Sequence, residues 1–172
     1  MTPDDSQTIH SHAAVSRVRE ALRSAGLADT ITVMREATHT ARAAADALGC
    51  DVGEIAKSII FRAQDGRAVL VITSGRNRVD DKKVTQQIGQ GIGKADADFV
   101  RAQTGFVIGG VAPVAHIAPP ITLMDETLCD YSTIWPAAGH PNTMFSISPH
   151  DLARVTGAKV ADIAKREPRE SK

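Results

Sequence analysis

The sequence predicts an α+β domain with a mixed or mainly antiparallel sheet. Three observations lead there. Apolar stretches of strand length outnumber long helical ones and cluster as hairpins. The clearest pair is KSIIFRA and RAVLVITS, joined by Gln64-Asp65-Gly66, whose Asp-Gly is a strong turn signal. A chain of 172 residues is also long enough to bury one core, and it shows no internal repeat, linker or low-complexity segment that would divide it. The domain is expected over residues 11–165, between flexible tails at 1–10 and 166–172.

In chain order, Val15, Val18 and Leu22 recur at helical spacing, with Arg17, Arg19 and Glu20 on other faces. Ile31 and Val33 suggest a short strand. Ala41, Ala44, Ala45 and Leu48 form one apolar helix face, which Gly49 ends. Asp51 with Glu54 three positions on makes a capping box for a short helix through Ile55. The second hairpin strand is apolar at every position from Ala68 to Ile72, so burial on both faces is expected. Gly75-Arg76-Asn77-Arg78 is a basic turn. Asp80 and Asp81 favour a helix start, and Val84 and Ile88 supply its inner face. Asp98 is expected to cap a further short helix, and Phe106, Val107 and Ile108 read as a strand. Pro119-Pro120 forces an extended connector into the strand ITLMD. STIWP and TMFSIS read as strands on either side of the loop AAGHPN. Ser148 and Pro149 then open a last helix, with Leu152 and Val155 facing inward.

Composition excludes several function classes. Twenty basic and 20 acidic residues sum to a net charge of zero, so strong sequence-blind binding to nucleic acid is not expected. Aromatic residues make up only 3% of the chain, too few for base-stacking platforms. Cys50 and Cys129 lie far apart, with no CxxC or His-spaced partner, so no metal site and no cofactor is expected. Two free thiols, a polar N-terminus without an apolar signal core, and no run long enough to span a bilayer point to a cytoplasmic protein without a membrane partner.

Chemistry is concentrated in two stretches. In TGFVIGGVAPVAH, Thr104 to His116, the turn at Gly109 and Gly110 lets main-chain N–H groups approach a carbonyl or oxyanion, and Pro113 stiffens the exit. The same glycines could equally be no more than a bulge beside a buried strand. In GCDVGEIAKSIIF, Lys57 stands at the start of a strongly apolar strand, followed by Ser58. Such a lysine can bind phosphate, orient a carbonyl or transfer a proton if burial lowers its pKa; it can also be a plain surface lysine. Thr40 is either an N-cap alone or a cap whose hydroxyl also meets a ligand. Asp125 either orients a neighbouring group or is a solvated turn residue. His116 and His140 are loop histidines, and no Ser/His/Asp spacing accompanies them.

Taken in order, ATHTARAAADALG, IAKSIIF and TGFVIGGVAPVAH, with its GxxxP element from Gly109 to Pro113, resemble the YbaK/prolyl-tRNA-synthetase-associated domain family. ITLMD and FSISPHDLARVTGAKVADIAK are weaker matches, and the likeness runs from about Thr40 to Ile163. The resemblance implies a single compact domain whose sheet curls into a partly barrel-like form with surrounding helices. It implies a freestanding deacylase that hydrolyses, in trans, the ester joining a wrong amino acid to the 3′-terminal adenosine of a tRNA. Catalysis would lean on the substrate's own 2′-hydroxyl and a positioned water. Carried over by position, Lys57, Gly109 and Gly110 would do the catalytic positioning. Thr40, Ser58, Thr104, Gly105, Val111, Ala112, Pro113, His116, Asp125, Gly139 and His140 would bind or bound the substrate. His116 departs from the family pattern, in which a small or different polar residue commonly follows the GxxxP element, and this leaves the substrate amino acid open. The implied partners are the acceptor end of mischarged aminoacyl-tRNA and a synthetase, with monomer and homodimer both open. A non-catalytic binder of charged tRNA ends and a purely structural domain are the competing readings.

Overall fold

The computed structural model describes residues 12–166; the tail expected at 1–10 lies outside them, as does that at 166–172 beyond Arg166. The hairpin forms as its sequence predicts. Strands β2 (Ile55–Ala63) and β3 (Ala68–Ser74) pair antiparallel through seven residues, with Gly66 in the left-handed region at φ +90°. The residues preceding it are α1 (Ala13–Ser24), β1 (Thr32–Val33), α2 (Ala41–Leu48) and a 3-10 turn, Val52–Glu54, closed by the Asp51/Glu54 capping box. After the hairpin come α3 (Asp81–Ile88), β4 (Ile92–Lys94), α4 (Ala97–Thr104) and β5 (Ile121–Asp125). The chain ends with β6 (Trp135–Pro136), β7 (Thr143–Met144), α5 (Pro149–Thr156) and β8 (Lys159–Ala161).

The main sheet is mixed, in the order β4-β2-β3-β5-β8, with β6 beside the start of β2; β1 and β7 form a separate two-stranded sheet. Pairing is antiparallel around the hairpin and parallel at β3–β5, β5–β8 and β2–β6. The path is open, ending at β4 and β8, so the sheet does not close into a barrel. Burial explains the central strand. Val69, Leu70, Val71 and Ile72 are all 0% exposed, because apolar side chains cover both faces. Leu70 and Ile72 pack with Val18, Leu22, Phe106, Phe145 and Leu152, while Val69 and Val71 pack with Val84, Leu123 and Ile163. A smaller cluster of Met34, Ala44, Ala45, Ile55 and Met144 seats α2 over the start of β2.

Some expectations need correcting. Phe106–Ile108 is not a strand: Gly105 and Gly109, at φ +77° and +92°, bend the chain at both ends, so Phe106 enters the core while Val107 and Ile108 point outward. The cap of α4 is Asp96, not Asp98; its carboxylate accepts from the N–H of Phe99 at 2.8 Å. STIWP and TMFSIS contribute only two strand residues each, and β6 stops at Pro136, which has no N–H to extend the ladder. No helix among the described residues is long and apolar enough to cross a membrane.

Removing the side chain at the centre of this double-sided core should cost about 2–5 kcal/mol. Leu70→Ala, measured by urea denaturation, is expected to fall in that range; a loss well under about 1 kcal/mol would contradict the packing described.

Candidate functional site

Where β2 leaves the 3-10 turn, four segments surround a cleft of about 170 Å³: the start of α2, the first residues of β2, the glycine loop after α4, and the loop before β7. Thr40, Ala44, Lys57, Ser58, Gly109 and Val111 line it, with Pro141 and Met144 on the far side. The lysine and the glycine turn, singled out separately in the sequence, therefore face one cavity.

Lys57 is held from below. Its Nζ donates to the main-chain oxygen of Asn77 at 3.0 Å. Burial pushes its pKa below the usual 10.5, Arg78 acts in the same sense, and Asp125 opposes both. The ammonium thus uses one of its three donors within the described residues and makes no ion pair there, leaving the others for a ligand.

Asp125 lies behind the cleft rather than in its wall. It is 0% exposed, and its Oδ2 accepts from Thr73 Oγ1 at 3.2 Å, Ser74 N at 3.1 Å and Asn77 Nδ2 at 2.9 Å; its Oδ1 accepts from Thr127 N at 3.0 Å. A buried carboxylate needs this many donors. Their effect is to pin the Gly75–Arg78 turn, and with it the carbonyl that takes Lys57. Gly75 permits the close approach, since a Cβ there would collide with the main-chain oxygen of Val52. Asn77 is therefore a site residue that the sequence reading passed over as part of a basic turn.

The glycine loop is built differently from the expectation. The N–H of Gly110 donates to Val107 O at 3.0 Å, so it serves the turn and not a ligand. What Gly110 supplies is clearance: a Cβ would sit 3.0 Å from the His140 main chain. No acceptor among the described residues takes the N–H of Gly109, Val111 or Ala112. Of these, Gly109 and Val111 line the cleft. Arg17 of α1, also missed in the sequence, clamps the base of the loop. Its guanidinium donates to Thr104 O at 3.1 Å and Ala115 O at 3.0 Å and lies 4.7 Å from the Phe106 ring centroid.

The other expected residues support the loop from outside the cleft wall. Thr104 is buried, donating to Val100 O and accepting from Phe106 N, and Gly105 ends α4 against the Arg17 guanidinium. Ala112 is fully buried and accepts from His116 Nε2 at 2.6 Å; Pro113 and His116 border a separate depression beside α5. Burial lowers the His116 pKa, so the neutral ring keeps the Nε2 proton and leaves Nδ1 without a partner among the described residues. His140 packs edge-on against His12 and accepts from Asn142 N at Nδ1, with burial and His12 lowering its pKa. Gly139, at φ +101°, lies against the Ala14 main chain. Thr40 caps α2, its Oγ1 accepting from Ala43 N, and it also lines the cleft.

Asp125→Ala strands four donors at a buried site, and a loss of about 3 kcal/mol or more is expected in thermal or chemical unfolding. A neutral effect would show that water replaces the carboxylate and that the turn is not held by it.

Residues 35–155 match the model of the aminoacyl-tRNA editing domain. The chain is 30% identical over 136 residues to YwhH of Bacillus subtilis (strain 168), a protein of uncharacterised function, covering 78% of this chain and 87% of that one. It is 24% identical over 129 residues to EbsC of Enterococcus faecalis, named as a candidate Cys-tRNA(Pro)/Cys-tRNA(Cys) deacylase, covering 74% and 79%. A crystal structure solved as that of a candidate trans-editing enzyme for prolyl tRNA synthetase superposes with a TM-score of 0.85 at 39% identity, over 90% of this chain and 98% of the other. With the match covering most of the chain, and the same fold in a near relative, the protein belongs to the aminoacyl-tRNA editing domain family.

Proposed function

We propose that the protein is a freestanding cytoplasmic aminoacyl-tRNA deacylase that hydrolyses the ester of mischarged tRNA in trans. The observation that carries this reading is the shared cleft: Lys57, with its half-buried ammonium, and Gly109 and Val111, whose main-chain N–H groups have no acceptor among the described residues, line one cavity, as an ester of a polyanionic substrate requires. Water adds to the ester carbonyl, negative charge builds on its oxygen, and the N–H groups of Gly109 and Val111 take that charge. The C–O bond to the ribose then breaks, the ribose oxygen leaves with a proton, and a free amino acid and tRNA result. The substrate's 2′-hydroxyl helps to place the water, so the protein needs no nucleophile of its own. Lys57 holds the ribose or adjoining phosphate and thereby aims the ester. Thr40 and Ser58 complete the wall.

A cavity of about 170 Å³ with alanine side chains from α2 in its wall suits a small aminoacyl group, such as an alanine or cysteine ester. Editing of this kind is needed because a synthetase pocket gains only about 1–3 kcal/mol from one methylene.

Amino acid release from a panel of mischarged tRNAs tests the reading. Lys57→Ala should slow release about 10–100-fold, the value of a hydrogen bond to a charged group. Saturable binding of charged tRNA with no release above the spontaneous rate would instead identify a non-catalytic binder. The depressed Lys57 pKa adds a pH signature. The charged form is lost as pH rises through the lowered value, so affinity for a stable amide analogue of the aminoacyl end should fall with a midpoint below 10.5. A midpoint at or above that value would remove the buried ammonium from binding.

A further inference from the structure

The aminoacyl cleft leaves the nucleoside outside it, and the edge of β2 offers a place. On the side away from β3, β2 pairs with β6 only at Ile55 and Ala56, and with β4 only from Phe61 onward. The strand between has no partner on that edge among the described residues. The hydrogen-bonding phase follows from its ends. Gly75 N donates to Ile55 O and Ala63 N to Arg67 O, so odd-numbered residues of β2 bond to β3. Gln64 N donates to Gly91 O, so even-numbered residues face the other way. The main-chain groups of Ser58 and Ile60 therefore point into the gap.

A groove of about 340 Å³ runs along this gap. Four consecutive residues, Ser58 to Phe61, line it. Side chains of a strand alternate between faces, so four in a row can border one groove only along the strand's edge, where the main chain is open. Val100 lies on its floor and Ile108, 62% exposed, stands at its rim. Ser58, Gly109 and Val111 border both this groove and the aminoacyl cleft, so the two adjoin. The buried Ser58 hydroxyl has no partner among the described residues, and Lys94 stands exposed at the groove's end.

We propose that this groove takes the terminal adenine of the substrate, read by the open main-chain edge of β2. Adenine presents a donor, N6–H, beside an acceptor, N1. The carbonyl of Ser58 and the N–H of Ile60 form the matching acceptor and donor. Ile108 and Val100 supply apolar contact to the base, and Lys94 sits where the phosphate on the 5′ side carries charge. The 3′ ester then crosses Gly109 and Val111 into the Lys57 cleft. This inference rests on the cleft being an aminoacyl-ester site.

The test uses 3′-alanylamido-3′-deoxyadenosine, a stable amide, against its inosine and cytidine counterparts and isotopically labelled full-length protein. Inosine reverses the pattern, carrying N1–H and an oxygen at position 6. The adenosine analogue should bind at least tenfold more tightly than either counterpart. The Ser58 and Ile60 amide signals should shift, and Ile60 should gain hydrogen-exchange protection. Ile108→Asp should weaken adenosine binding while leaving the fold intact, since that side chain is exposed. Equal affinity for the three analogues, or unmoved Ser58 and Ile60 amides, would overturn the groove assignment; continued release of amino acid from mischarged tRNA would then leave the deacylase reading standing. Absence of both analogue binding and amino acid release would overturn the two together.

Discussion

A carboxylate without water must be surrounded by donors, and at Asp125 this requirement assembles the site. Its position at the end of β5, parallel to β3, brings it against Thr73 and Ser74 at the end of the neighbouring strand. Two further donors come from Thr127 N and from Asn77 Nδ2, and the Asn77 carbonyl takes the Lys57 ammonium. A buried acid on one strand thus orients a cation two strands away without touching it. An ammonium with a fixed direction and a lowered pKa is suited to holding a ligand oxygen, whereas the same side chain on an open surface would cost rotamer entropy at every encounter.

The second wall depends on another long-range contact. Arg17 reaches from α1 to carbonyls on both sides of the glycine loop, and its planar fork meets Thr104 and Ala115 together. With its base held, the loop spends the Gly110 N–H on its own turn, fits Gly110 against His140, and leaves Gly109 and Val111 facing the cavity. The two walls therefore come from distant parts of the chain and meet only because the sheet places β2 under the loop.

Much of this was legible in the sequence where the signal is local. The Asp-Gly hairpin, the Thr40 and Ser148 caps, and the double-sided burial of Ala68–Ile72 follow from turn chemistry, short polar side chains and apolar runs. Lys57 was legible because a cation opening an apolar strand is unusual. Arg17 and Asn77 were not, since their partners lie far along the chain and nothing in a helical arginine or a turn asparagine announces them. Phe106–Ile108 misled for a related reason: three apolar residues suit a strand, yet glycines at φ +77° and +92° turn one inward and two outward. The strands β4 and β8 were invisible because they are only three residues long and are held by pairing rather than propensity.

The two walls are expected to grip one bound ester at once. The direct measurement is a crystal structure with a stable amide analogue of the aminoacyl-adenosine end. A two-walled grip places the amide carbonyl oxygen at hydrogen-bond distance, about 3 Å, from the N–H of Gly109 or Val111, with a ribose or phosphate oxygen equally close to Lys57 Nζ. A ligand bound with its carbonyl turned away from the glycine loop, or lodged in the depression beside His116, would contradict it.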